Sequence, residues 1–258
     1  MKEEYHTDSF LDGRLQILQA KKGYRFSMDP IILAHHVRVF PGDRVLDLGT
    51  GCGILALLLA LRHPDATVTG VEIQKSLATI AKENASRNKL NRRIRIINDD
   101  MRLLTQEQVL GPVEVVTINP PYYKEESGRI NVSSEKAVAR HEIHINLEGW
   151  LLAARNLLRT CGRIYTIFPA ERMAELFFFM EKYQLRPKRV RCVHSTAKEE
   201  AKLVIVEAIF AGRSGMVLAP PLFIYDAPSE YSEEASKILR PDLETFLSSS
   251  VDSPQKNT

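Results

Sequence analysis

From Val45 onward, short apolar runs alternate with stretches whose apolar residues recur every three or four positions, the pattern of strands alternating with helices. Val45-Leu46 opens a strand that enters Gly49-Thr50-Gly51-Cys52-Gly53, and an apolar helix over 54–62 follows. Thr67 to Val71 reads as a strand ending at Glu72, and the next helix, 74–88, carries Leu77, Ile80, Ala81 and Ala85 at helical spacing. Ile94, Ile96 and Ile97 mark a strand that ends at Asn98-Asp99-Asp100. A short helix near 101–109 then leads to a strand over 113–118. Segment 123–145 is polar and aperiodic and reads as a long loop. Helix 146–159 leads through Cys161-Gly162 to strand 163–168. A helix over 170–183 follows, and its Phe177-Phe178-Phe179 run reads as core packing.

Two further strands, 188–194 and 203–210, are joined by a charged connection too short for a crossover helix, so they are expected to be antiparallel. Residues 220–226 read as extended, and Ser232 as the cap of a last helix. Upstream, residues 14–19 and 24–27 alternate around Lys21-Lys22-Gly23, which suggests a hairpin. Asp29-Pro30 reads as an N-cap followed by proline at the first position of a helix running to about Val39. The sum is an α/β fold: a doubly wound, mostly parallel seven-stranded sheet with a C-terminal antiparallel hairpin. Residues 1–40 are expected to pack as hairpin and helix on one catalytic domain, 41–247, with a small polar, disordered tail over 248–258.

The chain has 258 residues, 44% of them hydrophobic and 26% charged, enough for one large core. Its three cysteines, Cys52, Cys161 and Cys192, are far apart and lack ligand spacing. That implies reduced thiols in a cytoplasmic protein and no structural metal. His35 and His36 are adjacent, so they leave different faces of a helix and suit a structural role. The polar, acidic N-terminus does not read as a signal peptide. The longest apolar run, Ile54 to Leu61, is too short to span a bilayer. A net charge of +3 is small for this length. Two basic stretches, 87–95 and 186–191, each taken alone read as solvated faces.

Candidate chemistry gathers at strand ends, where ligands bind in such sheets. Four successive strands end in Asp47 with the glycine loop, Glu72, Asp99-Asp100 and Asn119. The loop, Asp47-Leu48-Gly49-Thr50-Gly51-Cys52-Gly53, matches neither the dinucleotide fingerprint nor the P-loop. Its glycines let backbone pass close to a ligand, and a helix starts behind it with free amides. Glu72 stands where a carboxylate can take both hydroxyls of a ribose, and Asp100 where one can accept from an exocyclic amine. The fourth end is Asn119-Pro120-Pro121-Tyr122. Two prolines cannot continue a sheet ladder. They can form a ledge, on which the Asn119 side chain and the Pro120 carbonyl accept hydrogen bonds and Tyr122 offers a flat face. Such a ledge suits a planar group bearing NH2, either adenine or a primary amide.

These residues resemble the class I S-adenosylmethionine-dependent methyltransferases, in the branch with an Asn-Pro-Pro-Tyr motif that methylates amino groups. Tyr24 to Asp29, Ala139-Arg140-His141-Glu142 and Pro220-Pro221-Leu222 extend the resemblance to the bacterial tRNA1(Val) (adenine37-N6)-methyltransferase family, over most of residues 10–240. The resemblance implies a Rossmann-like fold and S-adenosyl-L-methionine held by Asp47, Gly49, Thr50, Gly51, Gly53, Glu72, Ile73, Asp99, Asp100, Met101 and Asn119. It implies catalysis by Asn119, Pro120 and Tyr122 on the N6 amine of an adenine in RNA, with tRNA (adenosine 37) as the expected partner; the residues themselves give no expectation of a metal or a membrane, and the oligomeric state, monomer or larger, stays open. Tyr24 and Phe26 are candidates to cover the cofactor. Arg140 and His141, in the long loop with Lys124, Arg129 and Lys136, and Arg189 with Arg191 are candidates to meet RNA. A glutamine N5 protein methyltransferase, another nucleic-acid amino-methyltransferase and a non-catalytic cofactor- or RNA-binding protein remain as rivals.

Overall fold

In the computed structural model, residues 5–20, 27–120 and 146–248 are described. The chain opens with an antiparallel hairpin of β1 (Tyr5–Phe10) and β2 (Leu15–Ala20), followed by helix α1 (Asp29–His36). The strand-and-helix alternation then runs β3 (Arg44–Leu48), α2 (Ile54–Arg62), β4 (Thr67–Glu72), α3 (Lys75–Arg87), β5 (Ile94–Asn98) and β6 (Val113–Ile118). After the long segment come α4 (Leu147–Leu157), β7 (Leu158–Pro169), α5 (Met173–Lys182), β8 (Leu185–His194) and β9 (Ala201–Phe210). The chain continues through short strands β10 (Val217–Leu218), β11 (Leu222–Phe223), β12 (Tyr225–Ala227) and β13 (Glu230–Tyr231) to helices α6 (Glu233–Leu239) and α7 (Leu243–Ser248).

The seven long strands lie in the order β8-β9-β7-β6-β3-β4-β5. β3 pairs in parallel with β4 and β6, β4 with β5, and β6 with β7. β9 is antiparallel to both of its neighbours. Two dipeptide strands, β10 and β11, run parallel along β8 and bring the sheet to nine. The order turns back at β3, which places a topological switch point beside the glycine loop.

Successive side chains of a strand face opposite layers. Ile164 and Phe168 of β7 pack with α4 and α5, whereas Tyr165 and Ile167 pack with α1 and α2 on the other side. Helix α2 is buried along nearly its whole length, with Leu57, Leu58 and Leu59 at most 1% exposed. Each such leucine contributes about 1.5–3 kcal/mol. That burial anchors the helix whose N-terminus closes the glycine loop.

Several expectations are corrected. β2 pairs with the preceding segment, because Leu11, Asp12 and Gly13 take positive φ (54°, 52° and 86°) and reverse the chain so that Phe10 meets Leu15. Most of the expected second arm, 24–27, lies outside the described residues. Helix α1 begins at Asp29 with Met28 as its cap, one residue earlier than expected, and Val37 is already extended. Residues 101–109 form turns instead of a helix. Leu103 N donates to the Asp100 carbonyl (3.0 Å), and the Gln108 side chain accepts from Thr105 N (2.9 Å). Strand β7 starts at Leu158 and absorbs Cys161, which takes φ 62° at an irregularity in its pairing with β6. The 170–183 helix splits into a 3-10 turn over Ala170–Arg172 and α5. In α5 the buried positions are Leu176 and Met180, four apart, so Phe178 falls on the outer face and is 65% exposed. Ser232 caps α6 by accepting from Ala235 N (3.1 Å), but α7 follows it. The expected tail from 249 onward lies outside the described residues. No helix among the described residues is long and apolar enough to cross a membrane.

Candidate functional site

Strand register aligns the four polar ends. Leu48 pairs with both Val71 and Ile118, and Glu72 pairs with Asn98. One step further along each strand, Asn119, Gly49, Glu72 and the Asn98-Asp99 corner stand side by side at the carboxyl edge of β6, β3, β4 and β5. Polar groups that are distant in sequence are thereby brought to one edge by parallel pairing alone.

Asp47 is 2% exposed, and each of its carboxylate oxygens accepts from a threonine hydroxyl: Thr50 to Oδ2 at 2.6 Å and Thr117 to Oδ1 at 2.8 Å. Glu72, 5% exposed, accepts from Gly51 N through Oε2 and from Gln74 N through Oε1, both at 2.9 Å. Burial raises both carboxyl pKa values, that of Asp47 to about 6 despite the opposing hydroxyl bonds, and the Glu72 charge adds to the Asp47 rise. The loop between them is held by Thr50 N donating to the Val71 carbonyl (2.9 Å) and Gly53 N to the Thr50 carbonyl (2.8 Å). Gly49, Gly51 and Gly53 all take positive φ. The result is a tight, backbone-lined turn over two buried carboxylates. Such a site favours a ligand that brings a cation and hydroxyl donors.

Asn98 donates to the carbonyls of Glu72 (2.8 Å) and Ile73 (3.0 Å), fixing the corner from which Asp99 follows. Asp99 bonds Asp100 N through Oδ1 (2.8 Å), and Gln108 reaches its Oδ2 (3.3 Å). Asp100 is held by its neighbour Arg102, whose Nε lies 2.9 Å from Oδ2 and 3.0 Å from Oδ1; this hydrogen bonding lowers its pKa. The expected acceptor at the ring edge is therefore ionised and held by Arg102, which bonds both of its oxygens. Met101 is buried beneath it. At the end of β6, Asn119 is half-buried and Pro120 buried.

Three contributors escaped the sequence reading. Thr117, two residues before Asn119, completes the Asp47 shell. Gly70, opposite Asp47, leaves room for Thr50, since a Cβ there would lie 2.8 Å from its Oγ1. A glycine inside a strand signals such close approach. Trp150 of α4 is 6% exposed and lies against Gly49, where a Cβ would meet its ring at 2.3 Å. Nothing in its helical spacing distinguishes it from a core residue.

Other candidates are placed elsewhere or fall outside the described residues. Pro121, Tyr122, Tyr24, Phe26, Arg140 and His141 lie outside them. Arg189 and Arg191 stand on β8, separated from β3 by β9, β7 and β6. Arg189 is exposed. Arg191 is 14% exposed and spends its donors on Glu234 (2.7 Å), the Pro220 carbonyl (3.0 Å) and His36 (3.1 Å), a structural use. In the 87–95 basic stretch Arg87, Lys89, Arg92 and Arg95 are exposed, as expected of a solvated face, and Arg93 alone turns partly inward, bonded to the Ala60 and His63 carbonyls.

Residues 29–170 match the family described as Methyltransferase small domain. The chain is 30% identical over 243 residues to a tRNA1(Val) (adenine(37)-N6)-methyltransferase from Porphyromonas gingivalis, covering 91% of this chain and 94% of the relative. A relative of the same name from Histophilus somni is 28% identical over 226 residues, covering 87% and 92%. Among solved structures, the fold is shared with a predicted O-methyltransferase from Agrobacterium tumefaciens, at a TM-score of 0.67 and 20% identity over 83% of this chain and 97% of that one.

Proposed function

The chain belongs to the methyltransferase small domain family and, within it, to the tRNA1(Val) (adenine37-N6)-methyltransferases, and on that premise we propose that it methylates the exocyclic N6 amine of an adenine in tRNA, at position 37 beside the anticodon, using S-adenosyl-L-methionine. The observation that carries the reading is the strand register, which sets Asn119 next to the glycine loop and its buried carboxylates.

The donor set fits this cofactor. Asp47 and Glu72 are buried acids with raised pKa values, suited to an α-ammonium and to ribose hydroxyls, and the positive-φ glycines let backbone approach closely. Asp99, Asp100 and Met101 suit the adenine end, with Ile73 between them and Glu72. When bound, the cofactor supplies an electrophilic methyl on a sulfonium. The remaining work belongs to the chain. An adenine amine is a poor nucleophile, because its lone pair is delocalised into the ring. The Asn119 side-chain oxygen and the Pro120 carbonyl can accept its two N–H groups. That turns the lone pair out of the ring and stabilises the positive charge developing on nitrogen. Tyr122 provides a stacking face that fixes the plane of the base. Orientation of this kind is worth up to about 7–11 kcal/mol of barrier. The base reaches the ledge unstacked, at little cost in an anticodon loop.

The test is Asn119→Ala. Methyl transfer to tRNA should fall by about 100-fold or more while cofactor binding by calorimetry persists. Undiminished transfer would remove Asn119 from the mechanism.

A further inference from the structure

Asn84 is 0% exposed and lies in the last turn of α3. A fully buried side-chain amide needs a reason, because its donors and acceptor must find partners away from water. Here three bonds, among them both N–H donors, are made to two different parts of the fold. Its Oδ1 accepts from Leu18 N (2.7 Å), and its Nδ2 donates both to the Leu18 carbonyl (3.0 Å) and to the Cys52 carbonyl (2.9 Å). Leu18 belongs to β2. Cys52 lies inside the glycine loop, between Gly51 and Gly53.

One turn further, at the C-cap of α3, Asn88 repeats the first half of this pattern. Its Oδ1 accepts from Gln16 N (2.9 Å), and its Nδ2 donates to the Gln16 carbonyl (2.7 Å). Residues four apart on a helix share a face, and residues two apart on a strand share an edge. Two side-chain amides therefore stand in for a neighbouring strand along the edge of β2 that faces away from β1. The stripe extends in the other direction to Ala81, whose Cβ lies 3.1 Å from where a Cβ on Gly53 would stand. Ala81, Asn84 and Asn88 thus span the glycine loop, the junction and the hairpin in order. Of the hairpin and the glycine loop, Asn88 reaches the hairpin alone, its Nδ2 also donating to the Asn84 carbonyl within the helix (2.8 Å), whereas Asn84 reaches both.

We propose that Asn84 is a positioning residue of the cofactor site: by bonding Leu18 and the Cys52 carbonyl together, it couples docking of the β1–β2 hairpin to the ligand-ready form of the glycine loop. Coupling is reciprocal, so a ligand that settles the loop also tightens the hairpin. The inference rests on the cofactor reading above, and it makes the N-terminal hairpin part of the cofactor site at a distance. The pair of asparagines supplies its own control, since the two make the same bonds to β2, and beyond them Asn84 links to Cys52 while Asn88 bonds only a carbonyl of its own helix, that of Asn84.

The test uses S-adenosylhomocysteine, which binds without reacting, and the full chain. In the wild type, adding it should slow amide hydrogen exchange at Leu18 and Gln16, a readout that needs no variant. By calorimetry, Asn84→Ala should weaken binding about tenfold and abolish the ligand-induced protection of the hairpin. Asn88→Ala should speed hairpin exchange while keeping that protection and a Kd within about twofold of wild type. Equal effects of the two substitutions on Kd, or hairpin exchange indifferent to ligand in the wild type, would overturn the coupling alone. Failure of the wild type to bind would overturn the cofactor reading and the coupling with it.

Discussion

Asp47 carries the sharpest conflict between stability and use. Its usual pKa of 3.8 is raised to about 6 by complete burial, with the nearby Glu72 charge adding to the effect. A carboxyl whose pKa is raised on folding stabilises the native state below its unfolded pKa and loses that contribution as pH rises through the folded value. Between about pH 4 and pH 6 the protein should therefore lose stability from this group, and at pH 7 it holds a costly buried charge. A cationic ligand reverses the balance by favouring the carboxylate, so affinity for S-adenosylmethionine should drop as pH falls below about 6, with a proton released on binding. Asp47→Asn should raise the thermal midpoint at pH 7 and weaken binding. Calorimetry across about pH 5 to 7 (roughly one unit either side of the shifted value) checks this, and a flat Kd would contradict it. Asp47, Glu72 and Asn119 were legible in the sequence because each is a polar residue ending an apolar run. Thr117 was not, because its role depends on lying beside Asp47 in a strand paired 70 residues away. The partners of Arg191 were not legible, because alternation places it on a face but does not reveal that Glu234 and Pro220 meet it there.

Among the elements, the turn after β3 is the most constrained. Gly49 combines φ +70° with a ring edge of Trp150 where a side chain would begin. Gly49→Ala should cost about 1–3 kcal/mol through strained backbone and a displaced helix α4. Trp150 is the single tryptophan of the chain, so its fluorescence reports the same contact during denaturant unfolding. An unfolding midpoint equal to wild type, with unchanged emission, would mean that the ring yields freely. Elements with strong periodicity, such as α2 and α3, were legible to within a residue or two. The stretch 101–109 was not. Its apolar Leu104 and Val109 suit a helix, but local bonds from Asp100 and Gln108 fold it into turns. The hairpin partner of β2 was missed because its turn uses Leu11 and Asp12, which are uncommon at positive φ.

At the scale of the molecule, the parallel part of the sheet brings the ends of four strands, β6, β3, β4 and β5, to a common edge, and the order reversal at β3 opens the crevice there. That much was readable from the alternation of strands and helices and from the polar strand ends. The identity of the substrate was not. An Asn-Pro-Pro-Tyr ledge takes any planar amine, and the choice of an adenine in tRNA comes from kinship with relatives that share nearly the whole length of the chain. The most direct test is to incubate the protein with methyl-labelled S-adenosylmethionine and separate RNA, DNA and protein pools from a host lacking the gene. Label should enter tRNA and be recovered after nuclease digestion as N6-methyladenosine from position 37. Label recovered instead in protein glutamine, in DNA or in another nucleoside would contradict the account.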